Sequence, residues 1–486
     1  MQQNSFVVLF SVCSFCVFLF GCNSLDDDPC TGVNYKARTL SGIVNCDATL
    51  DAGHPWILKE GTVVGKGFKE ITQDTVQEIK NDGVTLTIEA GVEIFAEPEG
   101  ALLISRGSKI MAEGTADNPI TFSSVDEGTS GSGEWGGVFI QGFAPYYERS
   151  TNKRCSEESF CNPSIDAGYK HKAKFGGDDP ADSSGVLRYV RIAEAGYLKV
   201  KERKSESLGL HSVGHGTKIE YIQVQGGLED GIKLVGGTVN LKYGVLTNNE
   251  DDDISLDHGY QGHLQHFLMI KNQSIFYPAE GNSPRGIEAN NSTTKSVKAT
   301  NIKVANVTVI GSDLVRTDGP FDPALKPGAQ DMRKQPGIYL RGDITAEVSN
   351  SVVTGFNDCL RVEHGAEDAT RVQLNNIITG DCEDDSLSVL ANKLVPGSGI
   401  RPEPFENNIF HLDQLKTFVE YDANLALTSP LSRLDSLTEF EHLSGRDEFS
   451  FDKTDYIGGV DPSKPEGHWY QGWIFNGSTI IDKVSE

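Results

Sequence analysis

The stretch IEYIQVQGGLEDGIKLVGG (219–237) returns 22 residues later as LKYGVLTNNEDDDISLDHG (241–259). Tyr221 falls on Tyr243, Val224 on Leu246 and Ile232 on Ile254. LRYVRIAEAG (187–196) opens the same way, before an insertion rich in Lys and Glu (197–207) delays LGLHSVGHG (208–216). Further on, SNSVVTGFNDCLRV (349–362) recurs as LNNIITGDCEDDSLSV (374–389). A period of roughly 22 to 27 residues with two or three short strands per unit predicts a parallel β-helix. Each unit makes one coil, and stacked neighbours bury its apolar face. A β-sandwich or propeller is the alternative, but a propeller blade needs about 40 residues. Hairpin signals of the Asn-Gly kind do not recur at the matching spacing.

The strands themselves are legible. GVTLTIEAGVEIFAE (83–97) alternates Val84, Leu86 and Ile88 with Thr85 and Thr87, the period of two that marks one buried face. GALLISRGSKIMAEG, NPITFSS and WGGVFIQG follow, each ending at Gly, Asn or Pro, and the chain holds 52 glycines for such turns. The β-helix is therefore expected over 51–400. Residues 1–21 read as a signal peptide, 22–50 as a tether and N-terminal cap, and 401–486 as a less regular C-terminal cap or appendage. FHLDQLKTFVEY (410–421) has a helical look, and 144–184 and 312–336 are long polar insertions of the kind that often carry function.

The formal net charge of -26 sets aside nucleic acid and anionic lipid as partners. It suits an exported protein, or one that meets divalent cations. The apolar run Phe6 to Phe20 is short for a membrane span and fits a signal-peptide core. It ends in Leu19-Phe20-Gly21-Cys22, which resembles the bacterial lipobox, although no Lys or Arg precedes it. The resemblance implies lipidation at Cys22 and a place in the outer membrane, since Asn23 is not the aspartate that retains such proteins in the inner membrane of many Gram-negative bacteria. Six further cysteines, Cys30, Cys46, Cys155, Cys161, Cys359 and Cys382, form three neighbouring pairs, which reads as disulfides in an oxidising compartment. Cys359 and Cys382 lie about one coil apart.

As a set, LTIEAGVEIFAE, LLISRGSKIMAEGTADNPITFSS, GEWGGVFIQGFAP, GGDDPADSSGVLRYVRIAEAG, the block from 216 to 262 and DYIGGVDPSKPEGHWYQGWIF resemble bacterial cell-surface lipoproteins built on a right-handed parallel β-helix. The resemblance spans most of 50–475. It implies a fold and a surface location, and it implies no reaction or catalytic residue.

NNEDDDISLDHG (248–259) holds the densest chemistry. In the repeat it is a turn, where Asn and Asp bond their own backbone, and it stacks on LEDG of the preceding coil. Glu229, Asp230, Asp251, Asp252, Asp253 and Asp257 then line one edge, about 4.8 Å apart from coil to coil. Two readings are open: a solvated acidic turn, or a cation site for which calcium is the natural ion. Catalysis on a polysaccharide is a third, since paired carboxylates with a histidine can hydrolyse glycosides. The Gly-His-Gly around His215 precedes the carboxylates, whereas in polygalacturonases it follows them. Arg188 and Arg191 are available as lyase bases but read as outward residues paired with acids. His258, His263 and His266 suggest surface or ladder histidines before a metal site. Trp135, Trp469 and Trp473 either stack on sugar rings or plug the solenoid. The expected function is a non-enzymatic surface module binding a glycan, a cation or an outer-membrane receptor. The alternatives are a polysaccharide lyase or glycoside hydrolase, and an accessory lipoprotein of an uptake receptor.

Overall fold

A computed structural model describes residues 30–67, 70–126, 131–148, 153–155, 164–165, 173–271, 282–292, 298–311, 335–363, 366, 371–380, 382, 449–461 and 467–475. Its core is a right-handed parallel β-helix, one continuous sheet wound coil on coil. Short strands stack in one column: Val138–Gln141, Leu208–His211, Ile232–Val235, Ile254–Asp257, Ile287–Ala289, Pro336–Arg341 and Asp358–Glu363, all parallel. Long strands stack beside them, from Gly185–Ala193 and Lys218–Gln225 to Ile344–Thr354 and Val372–Gly380. Val224 pairs with Leu246 and Ile232 with Ile254, so the repeat alignment is the strand register. The alternation also predicts the core. Leu208, Leu210, Ile232, Leu234, Ile254 and Leu256 point inward and are fully buried.

Each long strand bends once, at a residue forced into the left-handed region. The bends are Tyr189, Tyr221, Tyr243, His266, Asn306, Asn350 and Asn376, with φ between 50° and 61°. Each is skipped by the strand pairing. Pairing resumes at the next residue except between the strands of Asn306 and Asn350, where Val307 N–H donates to Ser351 Oγ and pairing resumes at Thr308. In the earlier coils the two arms are separate strands: Lys109–Glu113 pairs with the first half of Gly185–Ala193, and Ile120–Ser124 with the second. A coil thus has three sides, two arms and a short strand.

The parallel ladder is already under way at Thr39, which pairs with Ile57, inside the segment read as tether and cap. Val33–Asn34 closes this end by running antiparallel to Thr39–Val44, stapled by Cys30–Cys46 (Cα–Cα 5.4 Å). Cys359 and Cys382 join consecutive coils (Cα–Cα 5.7 Å). Cys155 ends a short strand, while Cys161, Cys22 and the expected helix 410–421 lie outside the described residues. At the C-terminus, 449–461 and 467–475 do not cover an end of the solenoid. They lie along its side, over the column of bends: Trp473 meets Tyr189 and Tyr221, and Asp452 reaches Tyr243 and His266.

Candidate functional site on the short-strand face

Because side chains alternate along a strand, every second residue of the short strands faces outward. One outward row holds Phe139, Gly209, Lys233, Ser255, Glu288, Tyr339 and Arg361, each paired with the next coil's member. The turns that lead into these strands are stacked equally well. Ser207 N–H donates to Asp230 O (2.9 Å), Gly231 N–H to Asp252 O (2.8 Å) and Asp253 N–H to Arg285 O (2.9 Å). That register puts Glu206, Asp230, Asp252 and Arg285 at one position in four successive coils.

Three stacked carboxylates repel one another unless each meets a cation. The face supplies a basic side chain for each. His211 Nε2 lies 2.8 Å from Glu206, Lys233 Nζ 2.6 Å from Asp230, and Arg285 3.2 Å from Asp252. Arg285 also reaches Glu288 (3.3 Å), which Arg341 meets from the other side (2.9 Å). Arg285, Arg341 and Arg361 all lie over the Tyr339 ring, at 5.1 to 5.8 Å. The Glu206–His211 pair is sealed between Phe139 and Phe175. Burial pushes the Glu206 carboxyl up, yet the His211 hydrogen bond and charge hold it down at about 2. Gly209 makes the pair possible, because a Cβ there would lie 2.7 Å from His211 Cε1 and 2.8 Å from Glu206 Oε1.

The six acidic candidates separate. Glu229, Asp230 and Asp251 converge, each offering an oxygen within 4.8 Å of the others. Burial, the hydrogen bond with Asp251 and the charges of Asp251 and Asp230 push Glu229 up to about 8. Burial likewise raises Asp230 to about 6, against the pull of Lys233. Asp252, Asp253 and Asp257 are not part of this cluster. Asp252 turns to Arg285. Asp253 is fully buried and takes Lys271 Nζ at 2.8 Å and Asn249 Nδ2 at 2.9 Å. Lys271, itself fully buried, also donates to Asn249 O (2.9 Å) and Asp251 O (3.3 Å), so an ammonium fills the oxygen cage inside this turn. Asp257 caps the end of its strand by accepting the His258 N–H at 2.6 Å.

The remaining candidates also separate. Trp135 is fully buried with Nε1–H on Ala193 O, and Trp473, in the C-terminal segment, is buried against the long-strand side of the solenoid. Neither has a face free for a sugar, and both plug the structure, while Trp469 is half-buried against Tyr243. The histidines do not form one centre. His258 stacks on Tyr146 at the short-strand side, whereas His263 packs on Phe449 and Phe451 and His266 meets Asp452 on the long-strand side. Arg188 pairs with Glu220 (3.7 Å) as expected of an outward arginine. Arg191 is bound to Thr121 and lies 4.2 Å from the centre of the Phe475 ring; burial lowers it to about 10. Both arginines sit on the long strands, away from the acidic cluster.

Sequence reading missed the cations: Lys233, Arg285, Arg341 and the buried Lys271, together with Glu206, His211 and Tyr339. One signal was present. Lys233 follows LEDG in the strand IKLV, at an outward position beside the acids. For Arg285 no such signal exists, because the turn before it departs from the 22-residue length.

A family model described as a pectate-lyase-like β-helix domain matches residues 70–392. No curated protein and no solved structure matches the chain.

Proposed function

The chain belongs to the pectate-lyase-like β-helix family, and on that premise we propose that it is a polysaccharide-binding protein of the cell surface whose short-strand face holds the glycan. The observation that carries this reading is the continuous outward row of polar and aromatic side chains, one per coil, from Lys233 through Ser255, Glu288 and Tyr339 to Arg361. An extended surface of repeated rungs suits an extended polymer. Tyr339 is buried beneath Arg285, Arg341 and Arg361, and the charged rungs around it offer hydrogen-bond partners whose orientation is fixed by their ion pairs.

A second reading rests on Glu229. Held at about 8, it is protonated at neutral pH beside Asp251. A proton-bearing carboxyl next to a second carboxylate is the equipment of a glycosidase acid. The same cluster is our proposed calcium site, since a divalent ion relieves the repulsion that raises Glu229. The Leu19-Phe20-Gly21-Cys22 run supports a lipid anchor at Cys22 in the outer membrane. Cys22→Ser is expected to move the protein from the membrane fraction to the soluble one.

The test is a panel of neutral, amino-sugar and uronate polysaccharides, read by retention in affinity electrophoresis and by product release. Retention without products supports binding, with loss of retention of about tenfold or more in Lys233→Ala, whose side chain is the most exposed member of the row. Products that vanish in Glu229→Gln establish the enzymatic reading instead. No retention by any polymer sinks the glycan proposal. Calcium is judged by isothermal titration, and no heat at millimolar concentration dismisses the cation site.

A further inference from the structure

The C-terminal segments 449–461 and 467–475 are held in an unusual way: side-chain amides of the solenoid grip their main chain. Gln265 Nε2 donates to Asp452 O at 2.9 Å, and its Oε1 accepts the Asp452 N–H at 2.8 Å. Gln223 repeats the arrangement on Phe475, donating to its O at 3.3 Å and accepting its N–H at 2.7 Å. Asn306 donates to Tyr456 O (3.2 Å), Thr308 Oγ1 accepts the Gly459 N–H (2.9 Å), and Asn350 O accepts the Gly458 N–H (2.9 Å). Lys242 donates to Ser450 O (2.8 Å) and Arg191 to Trp473 O (3.4 Å).

These readers lie one coil apart beside the column of bends. The segment therefore runs across the strands, along the solenoid axis. It passes from the coil of Gln265 out to that of Asn350, and returns with Trp469, Trp473 and Phe475 to the coil of Arg191. Side chains anchor it as well: Val460, Tyr470, Trp473 and Ile474 are buried in one cluster with Val245 and Leu268 of the solenoid. Asp452 accepts from Lys242 (2.8 Å), from Tyr243 Oη–H (2.6 Å) and lies 3.3 Å from His266, which hold its carboxyl well below the usual range despite burial. Trp469 and Trp473 sit edge-on or tilted against the stacked Tyr189, Tyr221 and Tyr243 rings. Bidentate amide contacts to a backbone, with a few pockets for side chains, are how grooves bind extended peptides.

We propose that this side of the solenoid is a peptide-binding groove and that the C-terminal strap is its exchangeable ligand. The partner it fits in trans is the same strap from a second copy of the chain. The groove lies on the long strands and is independent of the glycan face.

The test places a protease site within 383–448 of the full chain, cleaves it, and adds a fluorescent synthetic peptide of sequence 449–475, which stands in for a second copy's strap. The cut strap should co-elute with the body on gel filtration and then be displaced by the peptide. Gln223→Ala with Gln265→Ala should weaken peptide binding by at least about tenfold, because two bidentate contacts are lost. Circular dichroism should remain that of a folded solenoid throughout. A strap that leaves on cleavage, one that the peptide never displaces, or a body that unfolds without it would each overturn the proposal.

Discussion

Glu229 and Asp253 sit in neighbouring stacked turns and meet opposite fates. Asp253 is buried with a lysine, and breaking such a pair strands a charge. Glu229 shares its corner with Asp251 and Asp230, and the proton it retains is the compensation. Its ordinary value is 4.5 and its folded value about 8, so between these the folded state holds a proton that the unfolded chain has released. Stability therefore falls as pH rises through that window. Glu229→Gln removes this residue's share of the slope, leaving that of Asp230. The variant should gain on the order of 1 kcal/mol over the native chain at pH 8.5, discounted for partial exposure, and little at pH 5. Urea unfolding at both pH values checks this, and parallel pH profiles for the two proteins would refute it.

At the scale of the element, the bend of each long strand settles the register. A left-handed residue other than glycine costs about 1–2 kcal/mol, and the fold offsets this by stacking. Tyr189, Tyr221, Tyr243 and His266 follow one another at 4.4, 4.5 and 4.9 Å. Asn306, Asn350 and Asn376 continue the column with the residue type most at ease there, and Asn376 Nδ2 donates to Asn350 Oδ1 at 2.9 Å. Tyr221→Val should cost about 2–3 kcal/mol, through a β-branched residue at positive φ and two lost stacks. Tyr221→Asn should cost clearly less. Denaturant midpoints of the two variants give the order, and a reversed order would show that the bend is not the constraint. The column was readable in part. The repeat aligned Tyr221 with Tyr243, but a Tyr, His and Asn column signals a left-handed site only once all coils are superposed. Matching NSVVTG to NNIITG by letters also slips the last coil by one, since Asn350 meets Asn376, 26 residues on. A slip of one would turn the buried face outward.

For the whole molecule, the charge of -26 is spread over a rod whose local ion pairs use up most of the face's cations. The excess acids repel across the surface. Raising sodium chloride from about 10 mM to about 150 mM shortens the screening length from about 30 Å to about 8 Å. The melting midpoint should rise over that range, and a fall would mean that the surface pairs outweigh the repulsion. The strap adds a second whole-molecule feature, tying coils as far apart as those of Arg191 and Asn350.

The amino-acid sequence by itself determined the coil. Its period, its inward alternation and the pairing of Cys359 with Cys382 depend on spacing, and a repeating chain stacks in register wherever that buries its apolar side. Only the tertiary structure decided which acids share a site. The side chains that neutralise Asp252 and Asp253, Arg285 and Lys271, come from the next coil, and both lie 18 or more residues away. The strap lies where it does for the same reason: its contacts reach across more than 100 residues to a column of bends that exists only when the coils are stacked.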